Sequence, residues 1–341
     1  MNMNDVVQFA VVGCGKIGAR HLEVLRNQVR AKTIAICDSD VGKCHRLSAL
    51  YTGIPCFTDY IKMLNTVDAD VVSICTPHNL HAPMAIIAAN SGRHVLVEKP
   101  MALTSRDAEA MIAAAERNRV RLMVVKQNRH NVPIKMAKSA LDGGKLGRVF
   151  MVQCNVLWNR YDRYYTDSDW RGRKALEGGA LFTQVSHFID LMIWWFGDMV
   201  RAKADISTKK QSIETEDCGI AQVQFASGVM GAIVWTTCAY RKNYEGSLTL
   251  IGEKGLIKIG GEYLNRIEHW DVDGYPLPED VDFTDKPNSY GEYQGTSSNH
   301  DKVIDDIVND LTKNERLTVD GYEGVRTVKA IELIYDAADK V

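Results

Sequence analysis

The chain has 341 residues, 45% of them hydrophobic and 25% charged, with a formal net charge of −2. That length suits two domains rather than one, and the near-neutral balance gives no reason to expect nucleic acid or an anionic membrane as a partner. No apolar run reaches the roughly 20 residues that a bilayer demands, and no secretory signal precedes the first strand. Eight cysteines lack C-x-x-C spacing. Buried thiols in a reducing, cytoplasmic setting are expected, not a disulfide framework.

The apolar residues Phe9 to Val12 read as a buried strand. Gly13, Gly15 and Gly18 follow in G-x-G-x-x-G spacing, with Cys14, Lys16 and Ile17 between them, and a helical pattern runs from Ala19 to Gln28. In such a turn Gly13 permits the tight bend, Gly15 lets a pyrophosphate approach the backbone, and Gly18 lets helix pack closely on strand. The helix N-terminus offers N–H groups to phosphates. A second strand, Thr33 to Cys37, ends at Asp38, 20 residues beyond Gly18, where a carboxylate can bind a ribose 2′-hydroxyl. Asp38 therefore predicts NAD over NADP, since a carboxylate repels a 2′-phosphate.

Further strands are expected at Asp70–Cys75, His94–Val97 and Arg121–Val125, with helices at His81–Asn90 and from Thr104, a natural N-cap, through Arg117. This βα rhythm implies a parallel, doubly wound Rossmann sheet. It assigns residues 1–126 to a nucleotide-binding domain and 127–341 to a second α/β domain for substrate and oligomerisation. The rhythm changes there. A helix at Val132–Leu141 and a long strand at Val149–Trp158 precede a polar, aromatic stretch at 159–179 and an apolar helix ending at Phe196. Strand-like runs then recur at 202–207, 219–225, 229–237, 247–251 and 256–259, separated by turn residues, as in a largely antiparallel open sheet. Two helices finish the chain, near 299–312 and 321–338.

Thr76-Pro77-His78 and Glu98-Lys99-Pro100 each follow a core strand, at the strand ends where open α/β sheets bind ligands. Lys99 there suits contact with substrate; an isolated surface lysine in a salt bridge is the plain alternative. His187 lies on the apolar helix opened by Gly178-Gly179. A histidine so placed is either a satisfied core residue or a catalytic base, and Asp190, on the same helix face, is placed to orient its ring. The segment Trp158 to Lys174 is rich in arginine and aromatics, including Arg160, Tyr164, Tyr165, Trp170 and Arg171. Arginine forks suit diphosphate and carboxylate; an oligomer interface favours the same residues. His78 and His81 lack a carboxylate at ligand spacing, so no metal is expected. Their position suggests cofactor or substrate contact, with capping of a helix by His81 the simpler reading.

With these residues the chain resembles the Gfo/Idh/MocA oxidoreductase family: Gly13 to Gly18, Asp38, Thr76-Pro77, Glu98-Lys99-Pro100, Trp170-Arg171 and the Gly178-Gly179 helix bearing His187 occur in order over nearly the whole length. Within that family it most resembles the UDP-N-acetylglucosaminuronate 3-dehydrogenases, which serve bacterial surface polysaccharide synthesis. That narrower likeness rests on Lys126-Gln127-Asn128-Arg129, Tyr164-Tyr165 before Asp169-Trp170-Arg171-Gly172, Gln184 to His187, and Glu245-Gly246-Ser247 with Ile251-Gly252. It also rests on Gly260-Gly261 with Asn265, and on Asn299-His300.

The resemblance implies that Lys99 and His187 are the catalytic pair, that the Lys99–Pro100 bond is cis, and that a homodimer or homotetramer forms on the second domain's sheet. It implies NAD contacts from Gly13, Cys14, Gly15, Lys16, Ile17, Gly18, Asp38, Thr76, Pro77, His81, Glu98, Lys99, Gln127, Trp170 and Arg171. Contacts to a nucleotide-sugar substrate are implied for Lys99, Asn128, Arg129, Arg160, Tyr164, Tyr165, Thr183, Gln184 and His187. One departure stands out: sugar and inositol dehydrogenases of the wider family often carry Asp four residues before the histidine, and here Thr183 is there. The rival readings are a dehydrogenase of a free sugar, inositol or another nucleotide sugar, and a non-catalytic NAD-binding sensor.

Overall fold

The computed structural model describes residues 6–51, 53–281, 283, 287–289, 294–313 and 319–340. Two compact units emerge: residues up to Lys126 with His300–Val325, and Gln127–Asn299 with the residues from Arg326 onward.

The first unit alternates strand and helix. Its elements are β1 (Val7–Val12), α1 (Lys16–Asn27), β2 (Ala31–Cys37), α2 (Val41–Leu50), β3 (Cys56–Phe57), α3 (Tyr60–Thr66), β4 (Val71–Ile74), α4 (His81–Asn90), β5 (His94–Val97), α5 (Ser105–Asn118) and β6 (Leu122–Val124). The strands pair in parallel in the order β3-β2-β1-β4-β5-β6. β4, and β5 after His94, are runs of buried apolar or small residues because helices cover both faces of such a sheet. Side-chain caps start the helices: Asp40 accepts the Lys43 N–H, Asp59 that of Lys62, and Thr104, as its position implied, that of Asp107. Strand order reverses between β1 and β4, which opens a crevice at their carboxyl ends. β3 escaped the sequence reading; two residues are too short to show a period.

The second unit holds α6 (Val132–Asp142), β7 (Val149–Leu157), α7 (Asp162–Thr166), α8 (Ser186–Phe196), β8 (Met199–Ser207), β9 (Cys218–Phe225), β10 (Met230–Thr236), β11 (Glu245–Gly252), β12 (Gly255–Gly260), β13 (Arg266–Val272) and the short pair β14 (Pro287–Ser289) and β15 (Gln294–Ser297). α9 (His300–Lys313) follows, then α10 (Gly321–Asp336), which begins in the first unit and ends in the second, and β16 (Ala338–Lys340). The large sheet runs β13-β12-β11-β7-β10-β9-β8-β16, antiparallel except where β10 meets β7 and β16 meets β8. β9 shows why it forms: Gly219, Ala221, Val223 and Phe225 are buried while Ile220, Gln222 and Gln224 face outward. β13 to β16 were not anticipated; β13 exposes charged and polar residues on most of its length and carries little apolar signal.

The expected second domain, 127–341, is not continuous. α9 returns to the first unit because its apolar face, Val303, Ile304, Ile307 and Val308, completes the core built by Phe9, Val11, Leu22 and Leu25. That face is a matter of tertiary packing, invisible to a boundary drawn from rhythm alone.

Candidate active site

In the first unit the three turn glycines separate by physical role. Gly13 has φ +95°, and a Cβ there would lie 2.5 Å from the Cys75 carbonyl oxygen. A Cβ on Gly18 would fall 1.8 Å from the Gly13 carbonyl oxygen, so the helix is pressed on the turn. A Cβ on Gly15 would meet nothing within 4 Å. No side chain caps α1, and its first turn carries no acid. An open space beside an uncapped helix N-terminus is the cradle that a diphosphate fits. Asp38 braces this turn: its Oδ2 accepts the Cys14 N–H at 2.7 Å and its Oδ1 the Asp40 N–H at 2.8 Å. A carboxylate has further lone pairs for a ribose hydroxyl. Lys16 and Ile17 follow in the first helical turn.

At the ends of β4 and β5, Thr76-Pro77 and Lys99-Pro100 lie side by side, joined by His81. One His81 ring nitrogen contacts the Thr76 carbonyl at 2.9 Å and the other the Pro100 carbonyl at 2.7 Å. The ring is wholly buried, and burial draws its pKa down against those two carbonyls. His81 is thus a clamp on the two loops, with both nitrogens on backbone carbonyls. The Thr76 hydroxyl is buried and finds no hydrogen-bond partner among the described residues, as befits a group awaiting a ligand. The Lys99–Pro100 bond is cis.

Glu98, next to Lys99, is held from within the first unit. Its Oε1 meets His21 Nε2 at 3.0 Å and lies 3.4 Å from His300 Nε2, while its Oε2 accepts the Lys99 backbone N–H at 3.1 Å. Burial opposes its charge, but the two histidines outweigh burial and hold it well below the usual carboxylate range. For His21, burial works against the charge, yet the Cys75 sulfur and the Glu98 carboxylate carry its pKa up to about 10. Burial lowers that of His300. His21, Glu98 and His300 lie close enough together to ligate a metal, a cluster that the sequence reading missed. Its one sequence signal is a histidine among Gly18, Leu22 and Leu25 on the buried stripe of α1.

In the second unit the Arg-aromatic segment gathers into one cluster. The Arg160 guanidinium lies 5.3 Å from the Trp158 ring and 5.4 Å from that of Tyr164, and Arg171 lies 4.3 Å from Tyr164 and 5.1 Å from Trp170. Tyr164 and Tyr165 meet edge to face at 4.9 Å, and Gln184 donates to the Tyr164 hydroxyl at 3.2 Å. Arg160 also donates to the Asn159 carbonyl at 2.6 Å. Gln127, Asn128 and Arg129 occupy one buried turn. The Asn128 side-chain oxygen and nitrogen have no hydrogen-bond partner among the described residues.

Arg129 is committed within the second unit. Its Nε and Nη2 each donate to Asp190 at 2.8 Å, and its guanidinium lies 5.0 Å from the Trp194 ring. Arg129 is a buried cation paired with Asp190. Asp190 thus has a partner that spacing along the chain did not show, and its Oδ1 also accepts from Thr327 at 3.2 Å.

His187 stands in the first turn of α8, 4% exposed, after a π-helical turn at Leu181–Val185 that carries Thr183 and Gln184. Such turns gather at functional sites. The Gly178-Gly179 opening does admit close neighbours: a Cβ on Gly179 would lie 2.2 Å from the Tyr335 hydroxyl and 2.7 Å from Glu216. Thr183 donates to Glu177 at 3.1 Å, and Glu177 also accepts the Gly172 N–H at 2.5 Å. Glu177 is 2% exposed and was not foreseen.

The parallel sheet, the glycine cradle and the acid at the end of β2 define a dinucleotide-binding oxidoreductase. The chain belongs to the Gfo/Idh/MocA family: residues 7–126 match its NAD-binding Rossmann fold and 138–340 its C-terminal alpha/beta domain. Among solved structures it is similar to the WlbA dehydrogenase from Bordetella pertussis in complex with NADH and UDP-GlcNAcA. They share 35% identity over 97% of this chain and 96% of that one, with a TM-score of 0.89. It is similar as well to the WlbA dehydrogenase from Chromobacterium violaceum, with the same two ligands: 34% identity over 98% and 94%, TM-score 0.90. The 1-carboxy-3-chloro-3,4-dihydroxycyclohexa-1,5-diene dehydrogenase of Comamonas testosteroni is 31% identical over 73% of this chain, a match that spans 63% of that relative's length. No helix among the described residues is long and apolar enough to cross a membrane.

Proposed function

We propose that this chain is an NAD-dependent dehydrogenase that oxidises the 3-hydroxyl of a UDP-N-acetylglucosaminuronic acid to the 3-keto sugar, in the synthesis of bacterial surface polysaccharide. The observation that carries this reading is likeness along almost the full length to two dehydrogenases that bind NADH and UDP-GlcNAcA together. The Arg-aromatic cluster and the unpartnered Asn128 amide support an anionic, hydroxyl-rich substrate.

NAD, when bound, supplies the hydride acceptor. His187 takes the proton of the reacting hydroxyl as general base, a role for which a histidine's ordinary pKa of about 6.5 is suited. Lys99 donates a hydrogen bond to that oxygen and steadies its growing negative charge. Thr76, Gln127, Trp170 and Arg171 are assigned to the cofactor, and Asn128, Arg160, Tyr164, Tyr165, Thr183 and Gln184 to the substrate.

The test is turnover of UDP-GlcNAcA with NAD by the purified protein, followed by product mass. Lys99→Ala and His187→Ala should each lower kcat by ~10²–10⁴-fold and leave NAD binding intact. Reduction of NAD only by free sugars or inositol would move the substrate, and NADH binding without any turnover would make the chain a sensor.

The open sheet face supports a homodimer or homotetramer: Met151 and Met230 are neighbours across β7 and β10, and both are exposed, as is Ile220 on β9. Light scattering of the protein and of an Ile220→Lys variant tests this. A cytoplasmic location fits the eight unpaired thiols.

A further inference from the structure

We infer that His21 and His300 are positioning residues for Lys99, acting through Glu98. The inference rests on the dehydrogenase reading above and concerns the first unit only. Lys99 follows a strand of four residues, β5, so its own secondary structure ends before it. What fixes its backbone is a relay of contacts. Ser73, buried in β4, meets His21 Nδ1 at 2.8 Å; His21 Nε2 meets Glu98 Oε1 at 3.0 Å; and Glu98 Oε2 accepts the Lys99 N–H at 3.1 Å. His300, the first residue of α9, stands against the same Oε1 at 3.4 Å, its ring 5.6 Å from that of His21. Residues from α1, β4, β5 and α9 thus converge on one carboxylate. The relay spends that carboxylate on two imidazoles and a backbone amide.

One consequence follows. The peptide that carries Lys99 is anchored by a group with little room to move, and a displacement of about 1 Å in a reacting group can cost ~10²-fold in rate. The spacing of the three groups would also admit a metal ion. The Ser73 contact on one face of His21 and the direct His21–Glu98 hydrogen bond favour a proton-bridged array instead.

The experiment compares His300→Leu, His300→Gln and Glu98→Gln, each also in a Lys99→Ala background. His300→Leu is expected to lower kcat by ~10–100-fold, with KM and NAD affinity within about threefold of wild type. His300→Gln, whose amide can occupy the same place against Glu98, should recover most of that loss, and Glu98→Gln, which keeps the shape, should lower kcat without unfolding. In the Lys99→Ala background the same changes should have almost no further effect, because they act through Lys99. Independently of turnover, the NMR signal of Lys99 in the ¹³C-methylated protein, assigned by its absence in Lys99→Ala, should shift in His300→Leu and stay in His300→Gln. Additive losses with an unmoved Lys99 signal would overturn the inference. So would a stoichiometric metal by mass spectrometry whose removal abolishes the Lys99 signal's position. Wild-type turnover of the nucleotide sugar decides the dehydrogenase reading separately.

Discussion

The Thr183 hydroxyl donates to the Glu177 carboxylate at 3.1 Å, on the π-helical turn that leads directly into His187. The turn's own register is irregular, so this contact and the Thr183 N–H bond to the Gly179 carbonyl at 3.0 Å anchor it. Thr183→Val removes a hydrogen bond to a charged group, worth about 1.5–3 kcal/mol. We expect kcat to fall roughly tenfold by that loss of alignment, and Thr183→Ser to keep wild-type turnover. Steady-state kinetics with wild-type rates in Thr183→Val would remove Glu177 from the supporting structure.

The glycine turn makes a prediction that separates folding from binding. Gly15→Ala adds a methyl where the protein has empty space, so the denaturation midpoint should hold while NAD affinity drops by an order of magnitude or more. Gly18→Ala drives a methyl into the Gly13 carbonyl and should lower both. Calorimetry of NAD binding beside chemical denaturation reads the two effects. Undiminished NAD affinity in Gly15→Ala would refute the cradle.

Asp38 should make NAD the preferred cofactor by kcat/KM over NADP. Asp38→Asn keeps an acceptor for the Cys14 N–H but loses the charge that repels a 2′-phosphate. The NAD-to-NADP ratio is expected to narrow by at least about tenfold, a discrimination energy near 1.4 kcal/mol. An unchanged ratio would point to another residue.

The buried pair of Arg129 and Asp190 should be costly to split. Asp190→Ala leaves a guanidinium without its carboxylate, 2% exposed, and should lower unfolding free energy by about 3–5 kcal/mol. The double variant Arg129→Met with Asp190→Leu should regain most of that loss, since no buried charge remains. Urea denaturation checks both. A double variant no better than Asp190→Ala would count against the electrostatic account.

Glu216 supplies a pH dependence of stability. Burial raises its pKa from the ordinary value of 4.5 to about 7, partly opposed by the Tyr335 hydroxyl at 2.8 Å and the Leu181 N–H. Between these values the folded protein holds a proton that the unfolded chain has released, so stability falls as pH rises from about 4.5 to 7 and then levels. The full contribution is about 3 kcal/mol. Glu216→Gln should flatten this slope, and denaturation curves at pH values across the window will show it. A parallel slope in the variant would assign the effect elsewhere.

The amino-acid sequence alone determined the class and the parts. Glycine spacing, a terminal acid on β2 and continuous apolar strands each carry a local physical meaning, so the Rossmann unit and its use of NAD were legible. Tertiary structure decided the partners. That Asp190 pairs with Arg129, that Glu98 meets two histidines, and that α9 packs in the first unit all depend on which distant segments meet. Helical and strand periods reach only a few residues along the chain. His21 and His300 lie 279 positions apart in sequence, and only folding brings them to one carboxylate.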